Sequence, residues 1–283
     1  MNKQPTVAVI GVVGHSQFLK TDHFHQPGET VTAEVVREEM GGKGFNQAVA
    51  AARMGADVHF LASVGDDGIA ARCEKAARAD GMDVRLCVKT GERTTFAVIL
   101  TDKRGDNRVT VCRGAELCVQ DVEAFEPQIA KSDVLLLQNE VPEAVNESAI
   151  ALANKHGTKV ILNPAPSRSL PSEWLRTVYA VTPNEQERQA LPVDLPCHCI
   201  TTLGERGCLI DRATAIGALS VIAVDTTGAG DTFNGVLAVC VAQGMELSDA
   251  CRYAVVASGI SVTKCGVLEA IPRKQEIETE INR

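Results

Sequence analysis

The segment Val224–Val239 reads VDTTGAGDTFNGVLAV. Two glycines and an alanine stand directly before Asp231, and Phe233, Val236, Leu237 and Cys240 follow at i, i+3, i+4 and i+7. That spacing marks one buried face of a helix, expected to begin near Thr232. Gly228, Ala229 and Gly230 carry little bulk, so their successive N–H groups can converge as an anion-binding nest, reinforced by the helix dipole. An acid beside such a nest is placed to act as a general base: it takes a hydroxyl proton while the nest stabilises charge on a transferred group. The simpler role for Asp231 is a helix N-cap, which aspartate performs well. A cap alone does not account for the GAG before it.

A second glycine-rich turn lies far upstream, in MGGKGFNQAVAAARMGA (Met40–Ala56). Gly41, Gly42 and Gly44 permit close approach of a ligand, and an alanine-rich helix follows, with Gly55 suited to cap its end. Lys43 and Asn46 would stand at the helix mouth, where N–H dipoles favour an electron-rich ligand. The turn is neither a Walker A loop nor a GxGxxG fingerprint. On spacing alone, a tight helix entry with a solvated lysine fits equally well.

Around these turns the chain alternates. Thr6–Val13, Asp57–Gly65, Asp133–Glu140, Thr158–Pro166, Tyr179–Glu185 and Cys199–Gly207 are short aliphatic or β-branched runs. Helix-like segments at Gly44–Met54, Ile69–Asp80, Ala144–His156 and Thr232–Gln243 fall between several of them. The alternation predicts one α/β domain over residues 1–283 with a mostly parallel sheet covered on both faces. Two stretches break it: Gln17–Arg37, with a PGET turn, and Thr94–Arg113, a hairpin around DKRGDN. Both read as half-buried antiparallel excursions, fitting a lid over a site or plain surface decoration equally well.

NPAPS (Asn163–Ser167), TPNEQE (Thr182–Glu187) and TTLGERG (Thr201–Gly207) each follow an expected strand, where open α/β sheets place ligands. Asn184 and Glu187 could act on phosphates through water or Mg2+, and cap or turn roles are as well founded.

Composition excludes several classes. The 283 residues hold 45% hydrophobic side chains and no apolar run near the roughly 20 residues a membrane span needs. A formal charge of −8, with no basic tract, argues against nucleic acid as a partner. MNKQPTVAVIG enters a strand-like run without a signal peptide's core, so a cytoplasmic protein is expected. The ten cysteines are scattered, and Cys73, Cys208, Cys240 and Cys251 sit in apolar surroundings, as buried thiols do. The CHC at Cys197–Cys199 has no second ligand pair, which favours structural thiols over a metal site.

Taken together, GGKGFNQAVAAARMGADVHFLASVGDD, LNPAPS, TPNEQE, TTLGERG and DTTGAGDTFNG resemble, in order and spacing, the ribokinase (PfkB) family of carbohydrate kinases over nearly the whole chain. The resemblance implies a three-layer α/β/α ribokinase-like fold with a small antiparallel β-sheet lid, near residues 14–38 and 94–113. It implies ATP- and Mg2+-dependent phosphorylation of a hydroxyl on a sugar or nucleoside, and a homodimer formed through the lid. By the same resemblance Asp231 is the catalytic base, and Gly228, Ala229 and Gly230 form the anion hole. Gly42, Lys43, Asn46 and Glu140 fall at sugar-binding positions. Asn184, Thr202, Gly204, Gly207 and Gly230 fall at nucleotide-contacting ones. Asp225 and Thr227, with Ser261, Lys264 and Gly266, match the loop that holds an activating monovalent cation such as K+. Glu187 would reach Mg2+ through water.

Two features depart from the family. Gly14 and Ser16 stand where members usually carry Asn-x-Asp, and a serine cannot accept two hydroxyls as a carboxylate can. The substrate is therefore open between ribose, a modified sugar and a nucleoside, and a non-catalytic sensor is the alternative from another class. The stretch between Glu185 and Ile200 is also short by a helix, which is expected to expose one sheet face near the nucleotide side.

Overall fold

Aliphatic runs with alternating inward and outward residues make strands that can be buried on both faces. The computed structural model describes residues 3–283. In chain order the strands are β1 (Thr6–Ile10), β2 (Gly14–Lys20), β3 (Glu34–Gly41), β4 (Asp57–Gly65), β5 (Asp83–Lys89), β6 (Phe96–Thr101), β7 (Asn107–Cys112), β8 (Val134–Gln138), β9 (Lys159–Asn163), β10 (Ala180–Val181), β11 (His198–Thr202), β12 (Cys208–Ile210) and β13 (Thr214–Ile216). The helices are α1 (Lys43–Arg53), α2 (Ile69–Ala79), α3 (Val119–Glu123), α4 (Glu126–Lys131), α5 (Glu143–His156), α6 (Ser172–Thr177), α7 (Glu185–Gln189), α8 (Ala229–Ala242), α9 (Leu247–Ser261) and α10 (Lys274–Ile281).

Nine strands form one sheet in the order β13-β12-β11-β10-β9-β8-β1-β4-β5. It is parallel from β5 to β11, and β12 and β13 continue it antiparallel. Val7 and Val9 of β1 face a core that includes residues of α1, α2, α8 and α9; Ala8 and Ile10 face a second core with α5 and α6. Two cores on opposite faces of one sheet make the three α/β/α layers. From β1 the chain builds outward through β4 and β5, then returns to start the other half at β8. The carboxyl ends of β1 and β8 thus flank a switch point, where such sheets open a crevice.

Both expected hairpins form, and they join into a four-stranded sheet ordered β3-β2-β6-β7. Each hairpin is antiparallel, while the seam between them, β2 to β6, is parallel. No turn constrains that seam, because the chain runs through β4, α2 and β5 before reaching β6. The first hairpin is longer than Gln17–Arg37: β3 runs to Gly41 and delivers the glycine turn directly into α1.

The short stretch after Asn184 behaves differently from expectation. Only the five-residue α7 precedes β11, and a cleft of about 530 Å³ opens beside Tyr179, Arg188, Cys197 and His198. Tyr179 and His198 lie at the amino ends of β10 and β11, so the opening is at the end of the strands opposite to Thr202 and Asn184. Glu187 and Leu191 are both buried. Among the described residues no helix is long and apolar enough to cross a membrane.

Candidate active site

Asp231 and Gly235 sit one turn apart on α8. A Cβ at Gly235 would stand 2.4 Å from the Gln47 carbonyl oxygen and 2.5 Å from the Ala50 Cβ, so α8 meets α1 at backbone distance. That approach presses two amide side chains of α1 against the Asp231 carboxylate. Asn46 Nδ2 donates to Oδ2 at 2.9 Å, and Gln47 Nε2 donates to Oδ1 at 3.0 Å. Asp231 keeps 7% of its surface exposed.

A buried polar network fixes this clasp. Gln138 Nε2 donates to Gln47 Oε1 at 2.7 Å, and Gln47 Nε2 also reaches Asn163 Oδ1 at 3.3 Å. Asn163 Nδ2 donates to the Thr182 carbonyl at 3.0 Å. Thr182 Oγ1 donates to Asn234 Oδ1 at 2.6 Å, and Asn234 Nδ2 donates to the Gly230 carbonyl at 2.8 Å. The chain of bonds thus returns to the turn before Asp231. Linked buried hydrogen bonds of this kind rigidify the groups they hold, although Gln138 Oε1 and Asn46 Oδ1 are left without a partner among the described residues.

Lys43 and Glu140 complete this side. The Lys43 N–H donates to Glu140 Oε2 at 2.8 Å. The Asp231 charge raises the Lys43 ammonium above its ordinary value, against the effect of burial and with help from Glu140. Burial pushes the Glu140 carboxyl up, and the Asp231 charge adds to that, while Lys43 opposes it. Gly42 is the N-cap of α1 at φ 103°, so the glycine turn and the end of β8 converge with Asp231.

The other side of the turn holds the anion donors. Helix α8 begins at Ala229 rather than near Thr232, so Asp231 is its third residue and not its N-cap. Gly228 takes the N-cap position at φ 76°, a left-handed conformation that only glycine adopts readily, and it starts the helix three residues early. The Ala229 N–H is used by the Thr226 carbonyl at 3.3 Å. Among the described residues the N–H groups of Gly230 and Asp231 have no partner, and these open the first turn to an anion. Of the three N–H groups of the expected nest, those of Gly228 and Gly230 are without a partner among the described residues, and that of Ala229 is engaged.

Asn184, Thr202, Gly204, Gly207 and Gly230 all line one cleft of about 830 Å³ beside that turn. Phe233 and Val255 give it an apolar wall suited to a flat ring. Asn184 pairs with Thr202 in an isolated parallel bridge and caps α7. Both Glu187 oxygens accept from Asn184, from its N–H at 2.8 Å and its Nδ2 at 3.0 Å. Glu187 is thus engaged as a capping partner, the simpler of its two expected roles.

The remaining sequence-derived residues divide. Asp225 Oδ1 accepts from the Thr227 N–H at 3.0 Å, and Oδ2 from the Gly266 N–H at 3.3 Å. Ser261 Oγ donates to the Ser258 carbonyl, and the Lys264 ammonium pairs with Glu276 at 2.8 Å, so neither side chain joins Asp225. Residues 5–274 match the model of the pfkB family carbohydrate kinases.

The chain belongs to the pfkB family of carbohydrate kinases. It is 35% identical to a ribokinase of Haemophilus influenzae, with 96% of each chain covered. It superposes on the crystal structure of a ribokinase from Thermotoga maritima with a TM-score of 0.89 at 30% identity, covering 99% of this chain and 100% of that one. A ribokinase from Cryptococcus neoformans, solved in complex with ADP, gives a TM-score of 0.82 at 26% identity, covering 98% and 100%. The three-layer fold with a second small sheet is that of these ribokinases.

The sequence reading of this pfkB kinase missed Gln47, Gln138, Thr182 and Asn234 as partners of the site. The signal was present: Gln138 ends the run Val134–Leu137, and Asn163 ends Val160–Leu162. Polar side chains closing otherwise apolar central strands have to find buried partners. Arg37 and Glu39 of β3 were also missed. Arg37 contacts both Glu39 and Asp225, and Glu39 Oε2 accepts from the Val267 N–H at 3.0 Å.

Proposed function

We propose that this carbohydrate kinase transfers the γ-phosphate of ATP to a hydroxyl of a sugar. Asp231 takes the hydroxyl proton, and the open N–H groups of Gly230 and Asp231 stabilise charge on the moving phosphoryl group. The observation that carries this reading is the placement of Asp231 between two chemistries on one helix turn. Its side chain faces Asn46, Gln47, Lys43 and Glu140, while Gly230 faces the 830 Å³ cleft. Base and phosphate donors then meet in line across the first turn of α8.

The cleft accommodates a nucleotide by its donors and its apolar wall, with Asn184, Thr202, Gly204 and Gly207 as contacts. When bound, Mg2+ would supply charge neutralisation to the phosphates, since a hard cation prefers oxygen ligands. Among the described residues no three His, Cys, Asp or Glu side chains converge as a metal site, which fits a cation arriving with the nucleotide. Lys43, with its raised pKa, stays cationic through neutral pH and holds the acceptor's oxygens near Asp231. Among the described residues Asn46 Oδ1 is a buried acceptor without a protein partner, available to a substrate hydroxyl.

A modified sugar or nucleoside as acceptor is favoured by one observation. A Cβ at Gly14 would lie 2.5 Å from the carbonyl of Thr95, the residue before β6, so this position is closed to the asparagine that the family resemblance implies there. Ser16 alone then represents β2 at the acceptor side.

The test is release of ADP over a panel of ribose, fructose 6-phosphate and a nucleoside, with Asp231→Asn as control. We expect turnover with one acceptor class and a loss of about 10²–10⁴-fold in kcat for the variant, with nucleotide affinity retained. Native turnover in the variant removes Asp231 as base. Ligand-induced thermal stabilisation without ADP release across the panel favours the sensor. Sedimentation of the native chain tests the expected homodimer through the small sheet, and a monomer alone removes it.

A further inference from the structure

The loop that the family resemblance assigns to a monovalent cation is furnished differently in this chain. A cation needs oxygen ligands, yet the Asp225 carboxylate is already met by positive partners. Its Oδ1 accepts from the Thr227 N–H and its Oδ2 from the Gly266 N–H. Nη2 of Arg37 lies 3.6 Å from the same Oδ2. Burial works against the Asp225 charge, but these N–H donors and Arg37 hold its carboxyl below the ordinary range.

Arg37 is itself fixed. Its guanidinium carbon stands 3.9 Å over the centre of the Phe18 ring, and its Nε contacts Glu39. Phe18 and Arg37 are cross-strand partners on β2 and β3, so the small sheet carries the guanidinium to the loop. Glu39 extends the contact, since its Oε2 accepts from the Val267 N–H at 3.0 Å. Val267 in turn packs on Gly228: a Cβ on that glycine would stand 2.6 Å from Val267 Cγ1. One row of β3 side chains therefore braces both loops beside the open N–H groups of α8.

We propose that Arg37 is a built-in cation at the Asp225 loop, holding the anion-binding turn in place so that nucleotide binding does not depend on K+. The inference rests on the kinase reading above, because it supposes a nucleotide at that turn. Arg37 is a positioning residue, acting through Asp225 and Glu39 rather than on the phosphate itself. A permanently tethered charge also costs less ordering than an ion drawn from solution, because Phe18 and Glu39 orient it beforehand.

The experiment measures Mg-ADP affinity by calorimetry, and thermal midpoints alongside, at constant ionic strength in tetramethylammonium, Na+ or K+ chloride. For the native chain, affinities within twofold of each other in the three salts are expected. Arg37→Met is expected to lose about tenfold in tetramethylammonium and to regain part of it in K+; Arg37→Lys keeps the native pattern. Tenfold tighter binding by the native chain in K+, or an Arg37→Met affinity equal to native in all three salts, overturns the proposal. Should Arg37→Met fail to fold, the native salt series and Arg37→Lys decide it. Absence of ADP binding by the native chain in every salt would instead overturn the kinase reading on which this one stands.

Discussion

Gln47 Nε2 lies 3.0 Å from Asp231 Oδ1, a hydrogen bond between two helices whose residues are far apart in the chain. Gln47 is fully buried, and its amide oxygen accepts from Gln138 at the same time. Gln47→Ala removes an amide that aims the base and leaves buried partners unpaired. It is expected to cost about 1–3 kcal/mol in stability. Turnover should fall about 10²-fold through misplacement of Asp231, with little change in nucleotide affinity. Urea unfolding and steady-state kinetics on the same preparation check both; unchanged kcat would detach Gln47 from the site.

Gly235 sets the distance across which that bond forms. Gly235→Val places carbon atoms where the Gln47 carbonyl and Ala50 already are. Overpacking of this kind costs about 1–3 kcal/mol and should separate α1 from α8. Kinetic damage comparable to Gln47→Ala, without any polar group having been removed, is the expected outcome. A variant with lowered stability and native kcat would show that α1 and α8 need not touch for chemistry.

Acid sensitivity is expected at Asp121, outside the site. Burial alone would raise its carboxyl, but the Lys89 ammonium at 2.7 Å and the Cys118 N–H at 2.8 Å outweigh that and hold it at about 2. A carboxyl depressed by folding contributes stability that is complete above its ordinary value of 3.8 and is lost as the pH falls toward 2. Urea midpoints of the native chain and Asp121→Asn, compared from pH 5 down to 2, should converge at the acid end. A gap that stays constant over that range contradicts the assignment.

Much of this architecture was legible before coordinates. Short aliphatic runs such as Val134–Gln138, and period-3.6 patterns between them, located the strands and helices of the large sheet. Lys43 and Asn46, placed at a helix mouth by the glycine turn, and Glu140, placed only by the family resemblance, lie around Asp231 in the structure. Two things were not legible. The left-handed Gly228 moves the start of α8 upstream, a backbone choice that residue type permits but does not dictate. Gln47 and Asn234 lie inside helices and become partners only once distant elements pack, so no local spacing announces them, whereas Asn163 and Thr182 stand at strand ends that the sequence marks. The β3 pair Arg37 and Glu39 has no signal in the sequence for the same reason: its partners Asp225 and Val267 lie at the other end of the chain.

The parallel seam of the small sheet has a consequence for how the chain acquires its shape. His15 pairs with Phe96 across about 80 positions of intervening chain, so β2 and β6 cannot zip from a turn. Closing so long a loop is slow relative to forming either hairpin. During synthesis the first hairpin must therefore wait, half satisfied, until the second emerges. Amide protection at Ser16–Leu19 is expected to lag behind that of β1 and β4 in pulse-labelled refolding. The arm that bears Arg37 would set only once the second hairpin has joined it.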